Sequence, residues 1–210
     1  MRQNDAVRAQ VIVLAGPSGS GKSRLCRRLG LPGVNLDDFY KDGSDETLPR
    51  MAMGPGQEMA DWDHRESWLR DDAVATLERL CLDGVAEVPL YDIAHDGRTG
   101  YRELDLRGAP YFVAEGIFAQ EVVAGCRERR LLADAICVRN HRVLTFWRRL
   151  SRDLRERRKP AWVLARRGWK LMRNEPQVVA RAVALGCAPM KPDAAYHRIR
   201  ALVDAGARTP

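Results

Sequence analysis

The sequence predicts an α/β fold, a parallel sheet sandwiched by helices, on three observations. Short apolar, β-branched runs recur at Val11–Ala15, Tyr111–Ala114 and Ala133–Val138, as in strands buried on both faces. Amphipathic helical spacings alternate with these runs, which is the order of a parallel sheet with crossover helices. Between the first strand and the first helix stands Gly16-Pro17-Ser18-Gly19-Ser20-Gly21-Lys22-Ser23, which satisfies G-x-x-x-x-G-K-[ST] at every required position.

The elements follow in order. Residues 1–10 form a polar lead-in to the first strand. After the glycine-rich loop, Leu25 and Leu29 lie one helical turn apart and Gly30 closes the helix. Gly33–Leu36 reads as a second short strand that ends at Asp37-Asp38-Phe39-Tyr40. Residues 41–60, with Gly43, Pro49, Gly54, Pro55 and Gly56, read as a loop. Trp68, Leu69, Ala73, Leu77 and Leu80 are spaced for a helix over about 66–82, closed by Gly84. Val85–Tyr91 is extended, with Pro89 marking an edge or hairpin strand, and 92–107 reads as a hairpin or excursion off the core. A strand at 111–115 ends on Glu115, a helix spans 119–131, and a strand at 133–138 leads into two Arg-rich helices at about 141–158 and 161–173. Pro176 starts a further helix to Leu185, Cys187–Pro192 reads as a loop, and Asp193 caps a last helix with Tyr196, Ile199, Leu202 and Val203 facing inward. No repeat and no linker divides the chain, so residues 1–210 are expected to form a single domain.

Charge narrows the function class. The net charge is +7. Between Arg139 and Arg173 there are thirteen Lys/Arg against two acids, which leaves the rest of the chain net negative. A basic excess confined to one segment argues for a local anion site and against a nucleic-acid coat. The five cysteines have an odd count and no C-x-x-C pair, the pattern of buried free thiols in a reducing cytoplasm. No run approaches the length of a membrane span, and the start carries no apolar signal segment.

The glycine-rich motif carries the chemistry. Gly16, Ser18, Gly19, Ser20 and Gly21 let main-chain N–H groups converge on phosphates, aided by the partial positive charge of the helix N-terminus. Lys22 is expected to meet the β and γ phosphates of ATP, and the Ser23 hydroxyl to bind Mg²⁺. Carboxylates at the C-terminal ends of strands in an open parallel sheet lie where ligands bind, which singles out Asp37, Asp38 and Glu115. Strand alternation would send one of Asp37 and Asp38 into the ligand crevice and the other away; the sequence leaves open which.

The phosphate loop, then Asp37-Asp38-Phe39-Tyr40-Lys41, Trp62-Asp63-His64, Pro89-Leu90-Tyr91-Asp92 with His95, Val113-Ala114-Glu115-Gly116-Ile117 and Arg148-Arg149-Leu150-Ser151-Arg152-Asp153 follow one another in an order that resembles uridine kinase. That family is the uridine–cytidine kinase branch of the P-loop kinases related to phosphoribulokinase. The resemblance covers roughly residues 10–160. It implies that Asp37 matches the catalytic base of the D-[ST]-F-Y motif and that Glu115 lies near Mg²⁺ and its waters. It implies that Asp63 holds ribose hydroxyls, that Tyr40 belongs to the nucleoside pocket, and that Tyr91 and His95 meet the base, although His95 stands one residue closer to its Tyr than in the family. Arg149, Arg152 and Arg157 match lid arginines, with Arg149 between nucleotide and acceptor and Arg152 at the transferring phosphoryl. Arg is suited to that task because its planar fork binds phosphate oxygens bidentately.

The reading is therefore a cytoplasmic Mg-ATP-dependent kinase of a small-molecule hydroxyl, foremost the 5′-hydroxyl of a pyrimidine nucleoside, acting without a membrane partner. Homo-oligomerisation stays open. Two alternatives remain. One is a kinase of another small alcohol, pantothenate-like or sugar-like, on the same fold. The other is a nucleotide-dependent regulatory or nucleic-acid-associated protein that uses the basic segment. The loop at 186–192 is the expected adenine-side element.

Overall fold

A computed structural model describes residues 7–54, 56–140 and 175–206 of the chain. The Arg-rich helices expected at 141–158 and 161–173, with Arg149, Arg152 and Arg157, lie outside the described residues. In chain order the elements are β1 (Gln10–Ala15), α1 (Lys22–Leu29), β2 (Gly33–Asn35), β3 (Arg50–Gly54), β4 (Gln57–Ala60), α2 (Arg70–Asp83), β5 (Val85–Asp92), β6 (Gly97–Asp105), β7 (Tyr111–Glu115), α3 (Val123–Glu128), β8 (Leu132–Val138), β9 (Ala188–Met190) and α4 (Pro192–Gly206). Residues 175–184 are also helical. Among the described residues no helix is long and apolar enough to cross a membrane.

Five strands form one sheet in the order β2-β7-β1-β8-β9, and every pairing in it is parallel. Alternate residues of these strands build two cores. Val11, Val13, Ala15, Phe112, Ala114, Ala135 and Cys137 face α2 and α3. Ile12, Leu14, Val113, Ile136 and Val138 face Leu25 and Leu29 of α1 and Ala195 and Ile199 of α4. The chain thus leaves β1 toward one face and leaves the adjacent β7 toward the other. That divergence opens a crevice at the C-terminal ends of β1 and β7, the topological switch point where open α/β sheets bind ligands. Two antiparallel pairs, β3–β4 and β5–β6, stand off the sheet.

Several expectations are corrected. The second strand stops at Asn35, because the Asn35 side chain accepts the Asp37 N–H and turns residues 36–39 into a 3₁₀ turn. Residues 41–60 are not all loop: β3 and β4 pair antiparallel as a hairpin, with Gly54 opposite Gln57. The helix expected from residue 66 begins at Arg70. Trp68 is extended instead and bridges Tyr40, since its indole donates to the Leu36 carbonyl at 2.6 Å. The helix at 119–131 is a 3₁₀ turn, Ala119–Val122, followed by α3. The loop at 187–192 contains the edge strand β9, where Pro189 is tolerated because an edge strand pairs on one side only. Asp193 lies inside the first turn of α4 and pairs with Arg28 at 2.7 Å.

Leu77 of α2 is fully buried against the sheet. Leu77→Ala should lower the unfolding free energy by about 2–5 kcal/mol, because a cavity in a close-packed layer relaxes only in part. Urea titration of the two proteins measures the difference.

Candidate active site

The phosphate loop joins β1 to α1 through backbone conformations that favour glycine. Gly16, Gly19 and Gly21 have φ of 128°, 83° and 106°. A Cβ at Gly16 would also collide with the Val138 carbonyl, so the end of β8 backs the loop directly. Ser20 is fully buried, and its Oγ has no hydrogen-bond partner among the described residues. Its carbonyl accepts from Asn140 Nδ2 at 3.5 Å. Ser18 is half-buried and Ser23 is exposed on the first turn of α1.

Lys22 is buried, and its Nζ donates to the Gly16 carbonyl at 2.7 Å and the Pro17 carbonyl at 3.4 Å. Burial lowers its pKa, and Asp37 and Glu115 oppose that by attraction. The carboxylates of the β2 turn and of the β7 end therefore lie within electrostatic reach of the loop lysine. Register explains why: Glu115 pairs with Leu14 of β1 on one side and with Asn35 of β2 on the other.

These groups fit a nucleoside triphosphate and its metal. A glycine cradle, a buried ammonium, an orphan hydroxyl and a helix N-terminus converge where phosphates would lie. Among the described residues no cluster of three or more His, Cys, Asp or Glu could hold a metal by itself. Magnesium needs none, since it binds one or two protein oxygens and keeps waters and phosphate oxygens for the rest. Ser23 and Glu115 carry oxygens of that kind and would be the residues to hold the ion.

Asp37 sits in the 3₁₀ turn rather than on a strand, so strand alternation does not decide between the two aspartates. Its Oδ1 accepts the Ile117 N–H at 2.8 Å. A Cβ on Gly116 would stand 2.8 Å from that oxygen and 2.9 Å from Leu36 Cβ, so only glycine admits this approach. Asp38 points elsewhere. It accepts from Asn35 Nδ2 at 3.0 Å and from the Tyr91 N–H. Burial, then Asp37, pushes its pKa up to about 6, against the pull of Arg102.

Beside Asp37 lies a box of aromatic rings. Tyr40 packs against Trp62, Tyr91 and Phe118 with centroids 5.8, 5.9 and 6.0 Å away. Its hydroxyl donates to the Trp62 carbonyl at 3.2 Å, and that of Tyr91 to the Lys41 carbonyl at 3.3 Å. Burial, then Asp96 and Asp42, raises the Tyr91 pKa to about 12, so its phenol remains a donor. Trp62 and Phe118 were not among the residues singled out for this pocket. Their signals were adjacency to Asp63 and to the Glu115-Gly116-Ile117 turn. Asp63 is exposed, with its N–H on Asp61 Oδ1 at 3.2 Å. His95 lies at the hairpin turn with 74% of its side chain exposed, its Nδ1 2.6 Å from Asp92 Oδ2.

No family model matches the chain. An inorganic pyrophosphatase, TTM2 of Arabidopsis thaliana, is 31% identical over 122 residues; the match takes 56% of this chain but spans only 16% of that enzyme. The solved structure of a putative fructose transport system kinase from Silicibacter sp. TM1040 superposes with a TM-score of 0.59 at 18% identity, covering 86% of this chain and 88% of that one; the two share a fold. A uridine kinase of Deinococcus deserti is 34% identical over 165 residues, 72% of each chain. With identity of that level across most of both sequences, on a parallel-sheet P-loop kinase fold, the chain belongs to the uridine kinase family.

Proposed function

We propose that this kinase transfers the γ-phosphoryl group of ATP to the 5′-hydroxyl of a pyrimidine nucleoside. The observation that carries the reading is the convergence of Lys22, Asp37 and Glu115 at one crevice, with the Tyr40 aromatic box beside it. Bound Mg-ATP supplies the electrophilic phosphorus and the leaving group. Lys22 and the loop amides hold the phosphates, and Ser23 and Glu115 are the hard-oxygen donors for the metal. Asp37, fixed through the Ile117 amide, orients the acceptor hydroxyl and takes its proton as the new O–P bond forms. The aromatic box offers flat apolar faces suited to a nucleobase, and the Tyr91 hydroxyl, its proton given to the Lys41 carbonyl, has lone pairs left to accept a hydrogen bond. By resemblance Arg149, Arg152 and Arg157 steady charge on the phosphoryl oxygens.

His95 favours a second reading. Exposed and engaged by Asp92, it leaves the base-contacting role that the resemblance implies without support, which suits an acceptor that carries no nucleobase. A screen of ADP release with Mg-ATP and uridine, cytidine, other nucleosides, pantothenate and simple sugars separates the two. Uridine- or cytidine-stimulated release supports the first reading; release with a sugar or pantothenate alone replaces it with the second.

Lys22→Ala should cut turnover by orders of magnitude in a folded protein. Asp37→Asn should leave nucleotide affinity nearly intact and reduce kcat by ~10²–10⁴-fold. Gly116→Ala should behave as a milder Asp37 variant, lowering kcat without raising KM for ATP. Arg152→Ala should raise KM for ATP and lower kcat together, with Arg152→Lys restoring part, because a point charge replaces a fork. Steady-state kinetics with both substrates varied reads all four.

Asp38→Asn is the control for the base assignment and should retain turnover within a few-fold. Its effect on stability carries a sign. The Asp38 pKa is raised in the folded chain to about 6 from 3.8. Between those values the folded form holds a proton that the unfolded form has lost, so this carboxyl favours folding at low pH and the benefit disappears as pH rises through about 6. Asp38→Asn lacks that loss. Denaturation at pH 4 and pH 7 should show the variant gaining on the parent at the higher pH.

A further inference from the structure

The nucleoside reading leaves one stretch without a role, Lys41-Asp42-Gly43, directly after the aromatic residue Tyr40. Three consecutive residues here are tied to the tip of the β5–β6 hairpin. The Lys41 carbonyl accepts from Tyr91 Oη at 3.3 Å. Asp42 Oδ1 accepts from the Arg98 N–H at 2.6 Å. The Gly43 N–H donates to the Asp96 carbonyl at 2.6 Å. The strand carrying Tyr91 and the strand carrying Arg98 face each other at this level, since Tyr91 and Arg98 are register partners. The hairpin is an isolated two-stranded ribbon, and such ribbons are marginal in water without docking. Near its base it rests on apolar packing: Ala86 and Val88 belong to the core under the sheet. At its tip the exposed Ile93, 65% accessible, contributes no such anchor, and the Tyr91 ring alone packs on Tyr40 and Trp62. Beyond that ring contact the tip is held by polar ties: the Asp38 carboxylate takes the Tyr91 N–H, and the Asp42 tie at 2.6 Å is shorter than that of the Tyr91 hydroxyl at 3.3 Å.

We propose that Asp42 is a positioning residue for the acceptor: its carboxylate clamps the hairpin tip, and with it Tyr91, to the segment that carries Asp37 and Tyr40. The inference rests on the nucleoside-kinase reading, because the clamped hairpin is one wall of the aromatic box. A hydrogen bond from an amide to a carboxylate is stronger than one to a neutral acceptor. An Asn at this position retains an oxygen for the Arg98 N–H but loses the charge, and Ala loses both. Without the clamp the Tyr91 ring is less well placed against Tyr40, so acceptor binding pays the ordering cost that the clamp otherwise meets in advance. The described residues of the nucleotide side belong to β1, α1 and β7, not to the segments that this tie joins.

Two measurements on the full chain test the proposal. In kinetics, Asp42→Ala should raise KM for uridine by on the order of tenfold, the worth of a charge-assisted hydrogen bond, with KM for ATP unchanged and Asp42→Asn intermediate. In hydrogen–deuterium exchange, which needs no acceptor, the peptide containing the Arg98 amide should exchange on the order of tenfold faster in Asp42→Ala while peptides from β1 and α1 keep parental rates. Unchanged exchange at Arg98, or KM for ATP rising with KM for uridine, overturns the clamp. Should no nucleoside stimulate ADP release by the parent protein, the nucleoside reading fails by itself, and the exchange result alone then decides whether Asp42 holds the hairpin.

Discussion

A buried ammonium dictates much of this architecture. Desolvating a lysine is costly unless hydrogen bonds and opposite charge compensate, and Lys22 has both: two loop carbonyls at its Nζ and the attraction of Asp37 and Glu115. Asp37 follows the second strand and Glu115 ends the seventh, yet the sheet order β2-β7-β1 makes both neighbours of the loop that follows β1. A different strand order would leave the ammonium without its counter-charges. The glycine at position 16 is part of the same arrangement, because the loop passes so close to the Val138 carbonyl that no side chain fits.

The constraint also separates two kinds of aspartate. Asp37 is drawn into the crevice by the Ile117 amide, and Gly116 makes room for it. Asp38, one residue on, faces the hairpin, half-buried and next to a like charge, so that its ionised form is disfavoured. Asn35 serves both, capping the turn with its oxygen and bonding Asp38 with its nitrogen. A single 3₁₀ turn thus delivers adjacent carboxylates to different environments, which a strand could do only by sending them to opposite faces.

How much of this was legible in the sequence follows from the range of the interactions involved. The loop, the three inner strands and the amphipathic helices α1, α2 and α4 could be read because their signals are local: a glycine pattern, apolar runs, a 3.6-residue period. Glu115 and Asp37 could be singled out because strand ends in open sheets face ligands. What could not be read was set by distant partners. Trp68 looks helical in its own neighbourhood, but the Leu36 carbonyl 32 positions earlier takes its indole N–H and holds it extended. β9 is three residues long and carries a proline, so only its pairing with β8 identifies it as a strand. Trp62 and Phe118 enter the aromatic box through contacts with Tyr40 that no spacing announces.

In the proposed mechanism the aromatic box joins recognition and chemistry in one small region. Tyr40 follows Asp37 by three residues, at the end of the same turn, and its ring meets side chains from three other segments: Trp62 before α2, Tyr91 on the hairpin and Phe118 after β7. The turn that presents the carboxylate therefore also presents the ring against which the other walls are packed. A displacement of that turn would move the proposed base and the proposed pocket together, preserving their mutual geometry while changing their distance from the phosphate loop. The hydrogen bond from Ile117 to Asp37 opposes such a displacement, because it ties the turn to β7, whose partner on the other side is β1. Three adjacent strands thus act as a rigid gauge between the aromatic box and the phosphate loop, which is what the proposed transfer between two bound molecules needs when misplacement by an ångström is costly.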